Sequence, residues 1–216
     1  MYHSTARQVL ESMAFRLPVI VQAVRLTRPK TEIWSPFISG LPNLEAQSRI
    51  RQSLQEAERS LEAQQGPLDD PRAEMLGWFE VKTNERGVFS MSLYNYAYTG
   101  GAHGLTLQTS RTYDTDTGRV HKLGDLFKPG SPYLERLTEL VREQIRRRDV
   151  PVYENTQVTV TPDTDFYIAD RALVLYFQQY EITPYVFGFP YFPISVFDLS
   201  DIVREDSPLG VMNAND

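Results

Sequence analysis

The chain has 216 residues, 41% hydrophobic and 12% aromatic, enough for one substantial core or two small packed layers. Its 22 Lys and Arg against 28 Asp and Glu leave a net charge of −6, which excludes a general attraction to nucleic-acid backbones and anionic lipid and favours a cationic partner. It has no cysteine, so disulfides, thiolate nucleophiles and cysteine-based zinc sites are ruled out.

The opening MYHSTARQVLESM lacks the basic flank, apolar stretch and small-residue cleavage site of a signal peptide. The longest apolar stretch, Leu17 to Val24, is too short to span a bilayer and reads as part of a first strand over Val19 to Leu26. A second extended piece, TEIWSPFISG, is stopped by Pro36 and Gly40. The period then changes. Leu44, Ile50, Leu54, Ala57 and Leu61 predict a helix, with Asn43 as N-cap and Gly66-Pro67 as the stop. Three aromatic or β-branched runs follow as a meander: EMLGWFEVKTN, GVFSMSLYNYAY and LTLQTSRTYDT. In the second, Phe89, Met91 and Leu93 alternate with Ser90, Ser92 and Tyr94, the pattern of a sheet with one covered face. KLGDLF predicts a short turn-like helix. A longer one follows, capped by Ser131 and opened by Pro132, with an apolar stripe of Leu134, Leu137, Leu140, Val141 and Ile145. The last third returns to strands in DFYIAD, ALVLYFQQYEI and YFPISV. Strands, helix, meander, helix and strands predict an α+β fold, a mostly antiparallel sheet or sheets packed with two main helices.

Four stretches in order, SPFISGLPNLEAQSRI, YAYTGGAHG, YDTDTGRVHKLGDLFKPG and LVLYFQQYEITPYVFG, carry a family resemblance. Over about Val19 to Val203 the chain resembles the paired bacterial domains of unknown function in the extracytoplasmic part of the anti-sigma factor RsiV. Similar domains precede the catalytic domain of the peptidoglycan deacetylase PdaC. The resemblance implies an envelope-associated, extracytoplasmic binding module whose partner is a cationic protein such as lysozyme, or a cell-wall glycan; the missing leader leaves a cytoplasmic alternative. It implies no cofactor. It also suggests a division into an extension (1–16), an N-terminal lobe (17–95), a C-terminal lobe (96–204) and a tail (205–216). The sigma-binding segment, the membrane anchor and the deacetylase domain of those relatives have no counterpart in the chain. Its histidines, His3, His103 and His121, are not paired at helical metal-ligand spacing, so no metal site is expected.

Within YAYTGGAHG, Gly100 and Gly101 can adopt positive φ and offer backbone N–H groups to an anion, with His103 as a titratable neighbour. The competing reading is a bulged turn in which His103 donates to a backbone carbonyl. In YDTDTG, Asp114 and Asp116 have a calcium-loop spacing, but Gly118 comes too early for an EF-hand and a hairpin turn is favoured. PYVFGFPYFP offers Tyr185, Phe187, Phe189 and Tyr191 as aromatic anchors for a protein or a glycan, with core cover as the competing role. Glu181, set among apolar residues, is a candidate general acid or base with His103 as its partner, which would make a glycan hydrolase; a structural carboxylate is the competing role. Three functions therefore stand: a non-enzymatic recognition domain, which the resemblance implies, a peptidoglycan- or glycan-acting hydrolase using Glu181 and His103, and an assembly module.

Overall fold

The structure, a computed structural model, describes residues 18–213. The predicted extension at 1–16 lies outside the described residues. β1 (Ile20–Arg28) and β2 (Thr31–Ser39) form a hairpin, and β3 (Glu74–Glu85), β4 (Val88–Tyr98) and β5 (Leu105–Asp114) form the predicted meander. Together they make one five-stranded sheet in the order β1-β2-β3-β4-β5. Its one parallel pair joins Thr31–Ile33 of β2 to Met75–Gly77 of β3. A parallel pair needs a crossover, and α1 (Leu44–Gln64) supplies it. β2 runs through Pro36 instead of stopping there, because β3 leaves β2 after Ile33 and a free edge tolerates a residue without an N–H.

α1 starts where predicted. The Asn43 side chain accepts from the Glu45 and Ala46 amides, and Ala46, Ile50, Leu54, Ala57 and Leu61 are buried. Leu44 precedes this stripe and stays 72% exposed. The stripe packs on Phe89, Met91, Leu93 and Tyr113 of the sheet.

α2 (Tyr133–Arg148) and a three-stranded antiparallel sheet, β6 (Phe166–Ala169), β7 (Ala172–Tyr176) and β8 (Tyr191–Ser195), build the second lobe. Its core holds Leu137, Val141, Ile168, Leu175, Phe192 and Ile194. Ser131 does not cap α2: Pro132 occupies that position without a side-chain bond, and the Ser131 hydroxyl is buried without a partner. The predicted tail at 205–216 is also corrected. Residues Pro208–Met212 form a short helix, α3, whose Leu209 and Met212 are sealed into the second core. The fold is α+β, with two main helices and this third short one.

Two further expectations change. β4 continues past residue 95 and pairs with β5 as far as Ala97 with Leu105, so the first sheet runs to Asp114 and no boundary falls at 95/96. The second face of β4 is covered as well, with Ser90 and Ser92 at 0% exposure. The second sheet lies across it. Ser90 Oγ accepts from the Ile168 amide at 3.1 Å and pairs with Thr112 Oγ1 at 2.8 Å. Ser92 Oγ pairs with Ser110 Oγ at 2.8 Å, and Ser110 Oγ with Tyr176 Oη at 2.9 Å. Thr83 Oγ1 donates to the Ile168 carbonyl at 2.8 Å. The period-2 pattern was legible, but its polar half supplies the hydroxyls that satisfy a buried seam between two sheets, where an unpaired polar group costs about 1–3 kcal/mol.

Candidate recognition site

The YAYTGGAHG stretch is the end of β4 and its loop into β5. Gly100 and Gly101 take φ of 104° and 126°, and Tyr98 Oη donates to the Gly101 carbonyl at 2.8 Å. Asp70 stands beside Gly100, so close that a Cβ there would meet its Oδ2 at 2.9 Å. That carboxylate is paired with the Arg72 guanidinium, and both glycines occupy positive-φ positions that the turn requires.

His103 joins this loop to the second one. Its Nδ1 lies 2.9 Å from the Gly104 carbonyl and its Nε2 lies 2.9 Å from Tyr180 Oη. A carbonyl has no proton to give, so Nδ1–H is assigned as the donor, while Nε2 and the Tyr180 hydroxyl, which can donate or accept, share the second bond. The imidazole stacks on Tyr185 at 4.0 Å between centroids, and Tyr185 stacks in turn on Tyr180 at 5.3 Å. Tyr185 Oη also donates to the Gly104 carbonyl, at 3.0 Å. Gly104 leaves room for the Tyr96 ring, since a Cβ there would lie 2.3 Å from it. YAYTGGAHG and YEITPYVFG, some 80 residues apart, thus form one cluster.

The residues ahead of Tyr180 fix the second loop to the sheet edge. Gln179 Oε1 accepts from the Thr106 amide, while the Gln178 side-chain amide both accepts from the Gln108 N–H and donates to its carbonyl. The glutamines stand in for the peptide groups of a missing sixth strand. Beyond them the loop exposes an apolar tip, with Tyr180 at 46%, Val186 at 93% and Phe187 at 37% of their surfaces in solvent. Of the four predicted anchors, Tyr185 and Phe187 belong to this tip. Phe189 and Tyr191 turn inward, Phe189 edge-on to Tyr94 and Tyr191 donating to Gln108 Oε1 at 2.7 Å.

Glu181 points elsewhere. Its Oε2 accepts from the Gln178 amide at 2.7 Å, closing the turn, and it lines a cleft of about 130 Å³ with Asp165, Thr159, Thr161 and Tyr176. His103 is not among the residues lining that cleft, and its two ring nitrogens are occupied by Gly104 and Tyr180. Burial pushes the Glu181 carboxyl upward and the Asp165 charge adds to it, although Glu181 remains exposed and solvent screens the effect. Asp165 is raised chiefly by burial, against the pull of its bond from Gln178. A raised carboxyl keeps its proton longer in the folded state, so its contribution is full at low pH and is lost as pH rises through the raised value. Asp165→Asn should therefore melt above the wild type near neutral pH, with the gap closing towards about pH 4. Melting curves across that range check this; a gap independent of pH contradicts it.

Another exposed surface escaped the sequence reading. Trp34, Leu76 and Trp78, on neighbouring strands β2 and β3, are 43%, 42% and 37% exposed, and Trp78 stacks on Tyr94 at 5.2 Å. Tyr180, Val186 and the two glutamines were also missed. The one signal for them was the QQYEI tail of a run read as strand, which leaves β7 at Tyr176.

Residues 29–106 match the family model described as Deacetylase PdaC, and residues 124–196 match Protein of unknown function (DUF3298). The two matches follow one another along the chain, and the cluster spans them: His103 lies in the first match, Tyr180 and Tyr185 in the second. Peptidoglycan-N-acetylmuramic acid deacetylase PdaC of Bacillus subtilis is 27% identical over 116 residues, covering 51% of this chain and 25% of that protein. The chain thus spans about a quarter of that relative's length. Among solved structures, a DUF3298 family member from Bacteroides fragilis superposes with a TM-score of 0.66 at 17% identity, over 94% of this chain and 98% of that one. A DUF3298 family protein from Pseudomonas aeruginosa PAO1 gives 0.59 at 18% identity, over 88% and 95%. These establish a shared fold.

Proposed function

We propose that this is a non-catalytic recognition module of the cell envelope that docks a cationic protein, of the lysozyme kind, on the tip carried by the His103 cluster. The observation that carries the reading is the exposed apolar tip, Tyr180, Val186 and Phe187, held by stacked rings on a segment of one-sided charge. Between residues 149 and 203 stand Asp149, Glu154, Asp163, Asp165, Asp170, Glu181, Asp198 and Asp201, against Arg171 as the only base. Apolar anchors fixed in advance lose little entropy on docking, and the net negative charge of the chain steers a positive partner.

A second reading rests on the exposed Trp34, Leu76 and Trp78. They lie in the region that matches the deacetylase model, and the relative there acts, by its name, on peptidoglycan; exposed indoles suit a glycan chain. Calorimetric titration with lysozyme and, in parallel, with soluble peptidoglycan fragments separates the two. The first reading expects saturable lysozyme binding that weakens severalfold between about 0.05 and about 0.2 M salt. Absence of lysozyme binding overturns it, and glycan binding abolished by Trp78→Ala moves the ligand to the sheet face. Glycan cleavage would instead restore Glu181 as a catalytic candidate.

A further inference from the structure

The two edges of the five-stranded sheet are treated differently. The β5 edge is closed along its length: Gln178 and Gln179 cap Thr106 and Gln108, the Thr112 carbonyl accepts from His121 N, and Asp114 N donates to the Arg119 carbonyl. The β1 edge has no such cover among the described residues. β1 is nine residues long, contains no proline, and pairs with β2 without a bulge from Ile20 with Ser39 to Arg28 with Thr31. Alternate N–H and C=O groups of such a strand face outward, a template for another strand. α1 packs chiefly on β2, β4 and β5 and reaches β1 only through Val21 and the Arg28–Glu62 pair, which leaves the other face positions of β1 open. Ile20, Val24 and Leu26 are accordingly 54%, 41% and 47% exposed.

We propose that the β1 edge pairs antiparallel with β1 of a second copy of this chain, joining two five-stranded sheets into one. The strand is self-complementary in charge. Pairing over its full length centres on Val24, which sets Val24 opposite its own copy, Arg25 opposite Ala23 and Arg28 opposite Ile20, so no arginine faces another. Both guanidiniums are already neutralised within their own chain, Arg25 by Glu32 and Arg28 by Glu62. The pairing is isologous and closes at two copies, and it leaves the tip around Phe187 free.

Light scattering across a range of protein concentrations tests this. The mass is expected to rise towards twice the 24.8 kDa of one chain, while Val24→Lys, which sets two like charges opposite each other, stays at one chain with an unchanged circular dichroism spectrum. Independently, the chain has no cysteine, so Val24→Cys treated with diamide should give a disulfide-linked dimer and Ile20→Cys, whose partner is Arg28, should not. A single-chain mass at every concentration overturns the proposal. So does a dimer that survives Val24→Lys, or cross-linking equal at the two positions.

Discussion

Gly104→Ala is expected to destabilise the protein by about 2 kcal/mol, read as a lower denaturant midpoint at unchanged slope. The cause is steric alone. The added methyl would sit 2.3–2.5 Å from three atoms of the Tyr96 ring, inside any tolerable contact. Tyr96 stands on β4 opposite Thr106 and Leu76 and is only partly buried, so the strain is shared between its ring and the loop. Any shift of the loop carries with it the Gly104 carbonyl that receives both His103 Nδ1–H and Tyr185 Oη–H. Shrinking the ring should relieve the clash, so Gly104→Ala placed on a Tyr96→Ala background should cost much less than it does alone. Equal costs on both backgrounds would show that the Tyr96 contact is not the reason for glycine.

The second large effect concerns binding. Replacing Val186 and Phe187 together by alanine should weaken lysozyme binding about 10- to 100-fold, equivalent to about 1.4–2.7 kcal/mol. The melting temperature should barely move, because Val186 is 93% exposed and neither side chain belongs to a core cluster. Affinity loss with retained stability separates an anchor from a packing residue. Unchanged affinity would remove the tip from the binding surface.

Much of the fold was legible because its signals are local. The Asn43 cap, the α1 stripe and the meander each follow from residues within one element. What escaped depends on contacts distant in sequence. Ser90 and Ser92 read as a solvent face, and only the second sheet, arriving some 80 residues later, turns them into a buried hydroxyl seam. Ser131 looked like a helix cap by type, but the chain enters α2 with its hydroxyl turned inward. The same limit applies to the site. His103, Tyr185 and Phe187 could be picked out by residue type. That the imidazole is held between the two loops, and that Val186 is the most exposed apolar side chain beside it, depends on how Gln178 and Gln179 fasten the later loop to β5. The aromatic run PYVFGFPYFP carried no mark dividing it into an outward half and an inward half; the 3-10 turn at Tyr185–Phe187 and the entry into β8 make that division.

The most direct test of the account is hydrogen exchange on the free protein and on its mixture with lysozyme. Slowed exchange confined to residues 99–104 and 178–189, the two loops that His103 holds together, is the predicted result. Protection centred on the β2–β3 face around Trp34 and Trp78, or no change at either loop, would contradict it.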